Sequence, residues 1–64
     1  MTYIVQEYNS DMTELVKQHE VEFDIDNEAV NYAFDYAQAS NYTVYLWRRG
    51  TLDPTRVVKL AKFY

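Results

Sequence analysis

Sixty-four residues with a formal net charge of −4 and no cysteine leave room for one domain, 1–64, and exclude a disulfide scaffold or a thiolate metal site. A chain this short buries only ~60% of the surface its unfolded form exposes, so one small core has to hold it. The opening stretch MTYIVQEYNSD has no basic, apolar leader pattern, and no segment nears the ~20 apolar residues that span a bilayer. The expectation is a cytoplasmic protein.

In chain order, Tyr3 to Tyr8 (YIVQEY) is β-branched and aromatic and reads as a strand. Asn9-Ser10-Asp11 is turn chemistry, since Asn and Asp side chains bond their own backbone. From Glu14 to Phe23 the residues alternate, with Leu15, Lys17, His19, Val21 and Phe23 on one side and Val16, Gln18, Glu20, Glu22 and Asp24 on the other. That predicts a second strand closing a hairpin. Met12, Leu15, Val16 and His19 also have helical spacing, so a helix over 12–19 competes.

The stretch from Asp24 to Asn41 predicts the one helix. Ala29, Val30, Ala33, Phe34 and Ala37 share a face at the 3.6-residue period, while Glu28, Asn31, Asp35 and Gln38 take the other. Asp26 suits an N-cap, Ile25 and Val30 are spaced as a hydrophobic staple, and Asn41 suits a left-handed stop. Tyr42 to Arg48 then reads as a strand, 49–55 as a loop around Gly50, Asp53 and Pro54, and Arg56 to Phe63 as a last strand. The layout is ββαββ: an α+β fold, a four-stranded antiparallel sheet with one helix on one face.

One helix covers one sheet face and leaves the other open. With Val44 and Leu46 under the helix, alternation turns Tyr45 and Trp47 outward. Plain alternation also puts Val57, Ala61 and Phe63 on one side of the last strand and Val58, Leu60 and Tyr64 on the other. An open face carrying Trp and Tyr is a patch that monomers seldom expose without use.

The catalytic checklist stays empty. His19 is the only histidine, so no ligand set or nucleophile–base pair can be assembled around it. It falls on the inward parity of its strand and reads as a half-buried structural residue. Asp24, Asp26, Glu28 and Asp35 have the acid spacing of a calcium loop, but Ala29 stands where the turn glycine is required. They read better as the acidic entry of a helix. No cofactor is expected and no enzyme is indicated.

Charge placement is the strongest surface signal. Residues 1–40 hold nine acids against Lys17 alone, while 41–64 hold Arg48, Arg49, Arg56, Lys59 and Lys62 against Asp53, balances of −8 and +4. Glu20, Glu22 and Asp24 project together in steps of about 7 Å along a strand, a spacing near that of phosphates along DNA. With Asp26 and Glu28 they form a candidate acidic edge for a partner; the plainer reading is a solvated edge that discourages pairing with other chains. Tyr45, Trp47, Arg48 and Arg49 form a candidate aromatic and basic surface of the kind single-stranded nucleic acid needs. Net acidity weighs against nucleic acid as a partner.

By size, acidity, Tyr and Asn content and the pattern VEFDIDNEAVNYAFDYA…YTVYLW, the whole chain resembles small accessory proteins encoded by bacteriophages. Many of these bind and inhibit one host or defence protein. The resemblance implies a non-enzymatic module that occupies a site on a host protein, by surface occupation or nucleic-acid mimicry. A nucleic-acid-binding regulator using the C-terminal hairpin is the alternative. A structural homodimer pairing its open sheet faces is the third.

Overall fold

The computed structural model describes residues 1–9, 11 and 13–64. Strands β1 (Thr2–Tyr8), β2 (Leu15–Glu22), β3 (Thr43–Arg49) and β4 (Val57–Phe63) and helix α1 (Asp26–Ala39) follow one another as ββαββ. The sheet order is β2-β1-β3-β4, antiparallel throughout, so two hairpins meet along β1 and β3. Residues 15–19 are strand, which decides against the helical alternative there; Met12 and the middle residue of the expected Asn9-Ser10-Asp11 turn lie outside the described residues. Asn9 still closes that connection, its side-chain oxygen accepting from the backbone N–H of Thr13 at 3.0 Å and of Glu14 at 3.3 Å.

The core lies between helix and sheet. Tyr3 and Val5 of β1, Val44 and Leu46 of β3, and Ala29 and Ala33 of α1 are fully buried. Alanine at the helix contact lets the backbone approach the sheet closely. β3 takes the expected parity, with Val44 and Leu46 beneath the helix.

Ala29, Val30, Ala33 and Ala37 of the expected face pack on the core, but the helix is turned enough to leave Phe34 outside it. Phe34 is 49% exposed and meets only the rim, edge-on to Phe63 at 5.8 Å between ring centroids. Tyr32 and Tyr36 turn inward instead. Tyr32 lies 5.6 Å from Phe23, Tyr36 lies 5.1 Å from His19, and the Tyr32 hydroxyl shares a 2.8 Å hydrogen bond with His19 Nε2. His19 of β2 and Phe23 just beyond its end offer an aromatic wall, and Tyr32 and Tyr36 turn to it.

The helix ends also differ from expectation. Ile25, not Asp26, is the N-cap, in extended conformation with no side-chain cap bond. Ile25 is also 54% exposed, so the expected apolar staple does not form a sealed contact. The helix stops at Ala39, and Ser40 is extended (φ −98°, ψ 147°) with its N–H on the Ala37 carbonyl, so no left-handed residue is used at the cap.

A register shift separates the pairs Leu46↔Ala61 and Trp47↔Lys59, leaving Leu60 as the extra residue of a bulge. Beyond it the parity of β4 inverts relative to plain alternation. Val58 pairs with Arg48 on the helix side, Val57 with Arg49 on the open side, and Leu60 packs on the core beside Ala61 and Phe63. In the β3–β4 loop, a Cβ on Gly50 would stand 2.5 Å from the Asp53 carbonyl oxygen, so only glycine fits there.

Candidate partner-binding surfaces

The acidic edge divides into internal and free members. Asp26 is internal: one carboxylate oxygen accepts the Tyr3 hydroxyl and the other pairs with Arg48, both at 2.7 Å. Burial and this bond push the Tyr3 phenol up to about 12. Glu20 is held by Arg49 across the open face at 2.5 Å. Glu22, Asp24 and Glu28 are exposed and without an ion-pair partner among the described residues. With Met1 and Phe23 they line a cleft of about 230 Å³ where β2 passes into α1.

The phosphate-like ladder is therefore short. β2 ends at Glu22, so the strand spacing holds from Glu20 to Glu22 and is lost before Asp24. Among the described residues no group of three or more His, Asp or Glu side chains is arranged to hold a metal.

The aromatic and basic residues also divide. Arg48 faces the helix and Arg49 the opposite side, because neighbours on a strand alternate. Arg48 is therefore not part of the surface that carries Tyr45 and Trp47. That surface is a platform on the uncovered side. Tyr45 and Trp47 stack at 6.1 Å and 26°, and Tyr8 meets Tyr45 edge-on at 5.5 Å. The Trp47 indole N–H donates to Gln6 at 2.7 Å, and Gln6 in turn donates to Gln18 at 2.8 Å. This chain fixes the ring across three strands.

Lys59 and Lys62 stand 5.7 and 5.5 Å from the Tyr45 ring centre, and Lys62 stands 4.4 Å from that of Tyr64. A hydrogen bond to Tyr64 holds the Lys62 ammonium above its ordinary range. Neither lysine pairs with a carboxylate among the described residues. Tyr8, Tyr45, Trp47 and Lys59 border a hollow of about 430 Å³. The sequence offers Lys59 and Lys62 among the basic residues interleaved with these aromatics, but Tyr8 was missed as a member of this platform. Alternation places Tyr8 only once the register to β3 is known, and the bulge decides the two lysines.

Glu7 is a second missed residue. It is buried at 6% exposure and accepts the hydroxyls of Tyr36 and Ser40, each at 2.8 Å. It ties β1 to the end of the helix, and its bond raises the Tyr36 phenol to about 12.

No helix of the described residues is long and apolar enough to cross a membrane. Comparison with protein-family models, with curated proteins and with solved structures gave no match to this chain.

Proposed function

We propose that this chain is a small non-enzymatic binding module, an inhibitor that occupies a basic functional site of a host protein with its acidic end. The observation that carries this reading is the set Glu22, Asp24 and Glu28, three exposed carboxylates around one cleft against the single Met1 ammonium, which is held there by the Phe23 carbonyl at 2.7 Å. Two cations of the C-terminal half do cross over to the acidic half, but they are spent on Asp26 and Glu20. The remaining carboxylates project an unbalanced field, which steers a positively charged partner and sets its register. The cleft lies where a rigid strand meets a helix start, so the surface is preformed. The likeness to small phage accessory proteins agrees with this mode of action.

The test replaces Glu22, Asp24 and Glu28 by Gln, Asn and Gln, which keeps size and removes charge. Asp26 is left intact, because replacing it would strand the buried Tyr3 hydroxyl. Affinity capture from a host lysate should retain a basic protein on the wild-type chain and lose it on the triple variant, with unchanged thermal melting. Equal capture by both chains would refute the acidic end as the working surface.

A second reading is favoured by one specific observation, the Tyr8–Tyr45–Trp47 platform beside Lys59 and Lys62. Bases stack on such rings while ammonium groups meet the phosphates. Binding of short single-stranded oligonucleotides, read by Trp47 fluorescence and weakening steeply with salt, would support it.

A further inference from the structure

The uncovered sheet face carries opposite charge on its two edges. Strand order puts Glu20 and Glu22 of β2 on one side and Lys59 and Lys62 of β4 on the other, with Ile4, Gln6, Tyr8, Tyr45 and Trp47 between them. We propose that this face is the interface of an isologous homodimer, two sheets packed face to face about a twofold axis parallel to the strands. This surface shares only Glu22 with the acidic cleft, and the proposal stands whether or not that cleft binds a host protein.

The register supplies the argument. Glu20, Ile4, Trp47 and Lys59 form one row across the four strands, and Gln18, Gln6, Tyr45 and Lys62 form the next. A twofold axis running along the strands between β1 and β3 exchanges left and right but keeps each row. It lays β2 of one copy over β4 of the other. Glu20, whose Oε2 holds Arg49 of its own chain while its side chain stays half exposed, then reaches Lys59 of the second copy with its other oxygen, Trp47 passes over the strand that carries the buried Ile4, and Gln6 meets Tyr45, each contact occurring twice.

The other in-plane axis, perpendicular to the strands, lays β2 on β2 and sets Glu20 and Glu22 against themselves. Like charges so opposed are unfavourable, so the charge pattern selects the first axis. Lys59 also lacks a carboxylate within the chain among the described residues, and Glu20 of a second copy supplies one, while Lys62 faces the neutral Gln18. Packed sheets cross at about 30°, a displacement long Glu and Lys side chains can follow.

Size sets the strength. Four strands about 4.8 Å apart and seven residues of about 3.3 Å give roughly 440 Å² of plan area per copy. Side-chain relief brings the total for two copies near the ~1,000 Å² at which specific association begins. An interface of that size sits at the weak, reversible end of specific association, so the test spans the micromolar range.

Sedimentation velocity across that range tests it, with acrylamide quenching of Trp47 in parallel. The wild-type chain should shift to the dimer as concentration rises, and Trp47 should become shielded. Glu20→Lys alone and Lys59→Glu alone should each weaken association at least about tenfold, since each places like charges in contact twice. An equimolar mixture of these two variants should dimerise again, because every cross-copy pair is opposite once more. Gln18→Glu should tighten the dimer by facing Lys62, an effect that damage to the fold cannot produce. A monomer at all concentrations, a dimer indifferent to both reversals, or failure of the mixture to recover would overturn the proposal. Oligonucleotide binding by a monomer with loss of Trp47 fluorescence would also overturn it and give the face to nucleic acid.

Discussion

Leu46→Ala should leave the chain largely unfolded at room temperature. Leu46 is fully exposed to no solvent, at 0% accessibility, in the strand directly beneath Ala29 and Ala33. Truncating a buried leucine costs about 2–5 kcal/mol, through lost transfer energy and the cavity left behind. A single core of this size supplies a net stability of only about 3–5 kcal/mol. Phe34→Ala removes a larger side chain yet should cost no more than about 1–2 kcal/mol, because half of that ring is already in water. Urea denaturation followed by circular dichroism checks both. If Phe34→Ala were the more damaging, the helix would be seated on the face that its apolar periodicity alone implies.

A second large effect is expected on the alkaline side. Tyr3 and Tyr36 are both raised from 10.0 to about 12, Tyr3 chiefly by burial and Tyr36 chiefly by its bond to Glu7. A phenol raised in the folded state binds its proton more tightly there than in the unfolded chain. The stability this contributes is complete below pH 10, declines from 10 to 12, and is gone above the folded value. Two such phenols in one marginal core should produce a cooperative unfolding transition within that window. Tyrosinate absorbance from Tyr3 and Tyr36 should rise together with the loss of ellipticity. Tyr36→Phe should make the alkaline loss of stability less steep, since it removes one of the two linked protons, while lowering stability at neutral pH because buried Glu7 loses a donor. A single unlinked titration with no loss of structure would contradict these assignments.

The dimer and the acidic cleft make different demands on the same small chain. Charge reversal at Glu20 or Lys59 tests the sheet face, whereas neutralising Asp24 and Glu28 touches only the end of the molecule. Each result therefore reads one surface.

The elements themselves were legible in the sequence. Four strands, one helix and the antiparallel layout followed from local periodicity, which the chain obeys whatever its neighbours do. The parity of Val44 and Leu46 and the inward place of His19 were legible for the same reason. Grouping Arg48 with Arg49 on one surface was wrong, although alternation along the strand already separates them.

Helix rotation was decided only in three dimensions, because α1 carries large rings on several faces. Which rings go inside depends on His19 in β2 and on Phe23 just beyond its end. Asp26 looked like a cap because capping is a local interaction; Tyr3 and Arg48 reach it from 23 and 22 residues away and take both oxygens. The bulge at Leu60 was equally hidden, since a register shift depends on how two strands fit. It is that one extra residue which sets Lys59 in a row with Glu20. Thus sequence determined which segments fold and which side of β3 faces the helix. Tertiary pairing decided which charges remain free, because that depends on partners far apart in the chain.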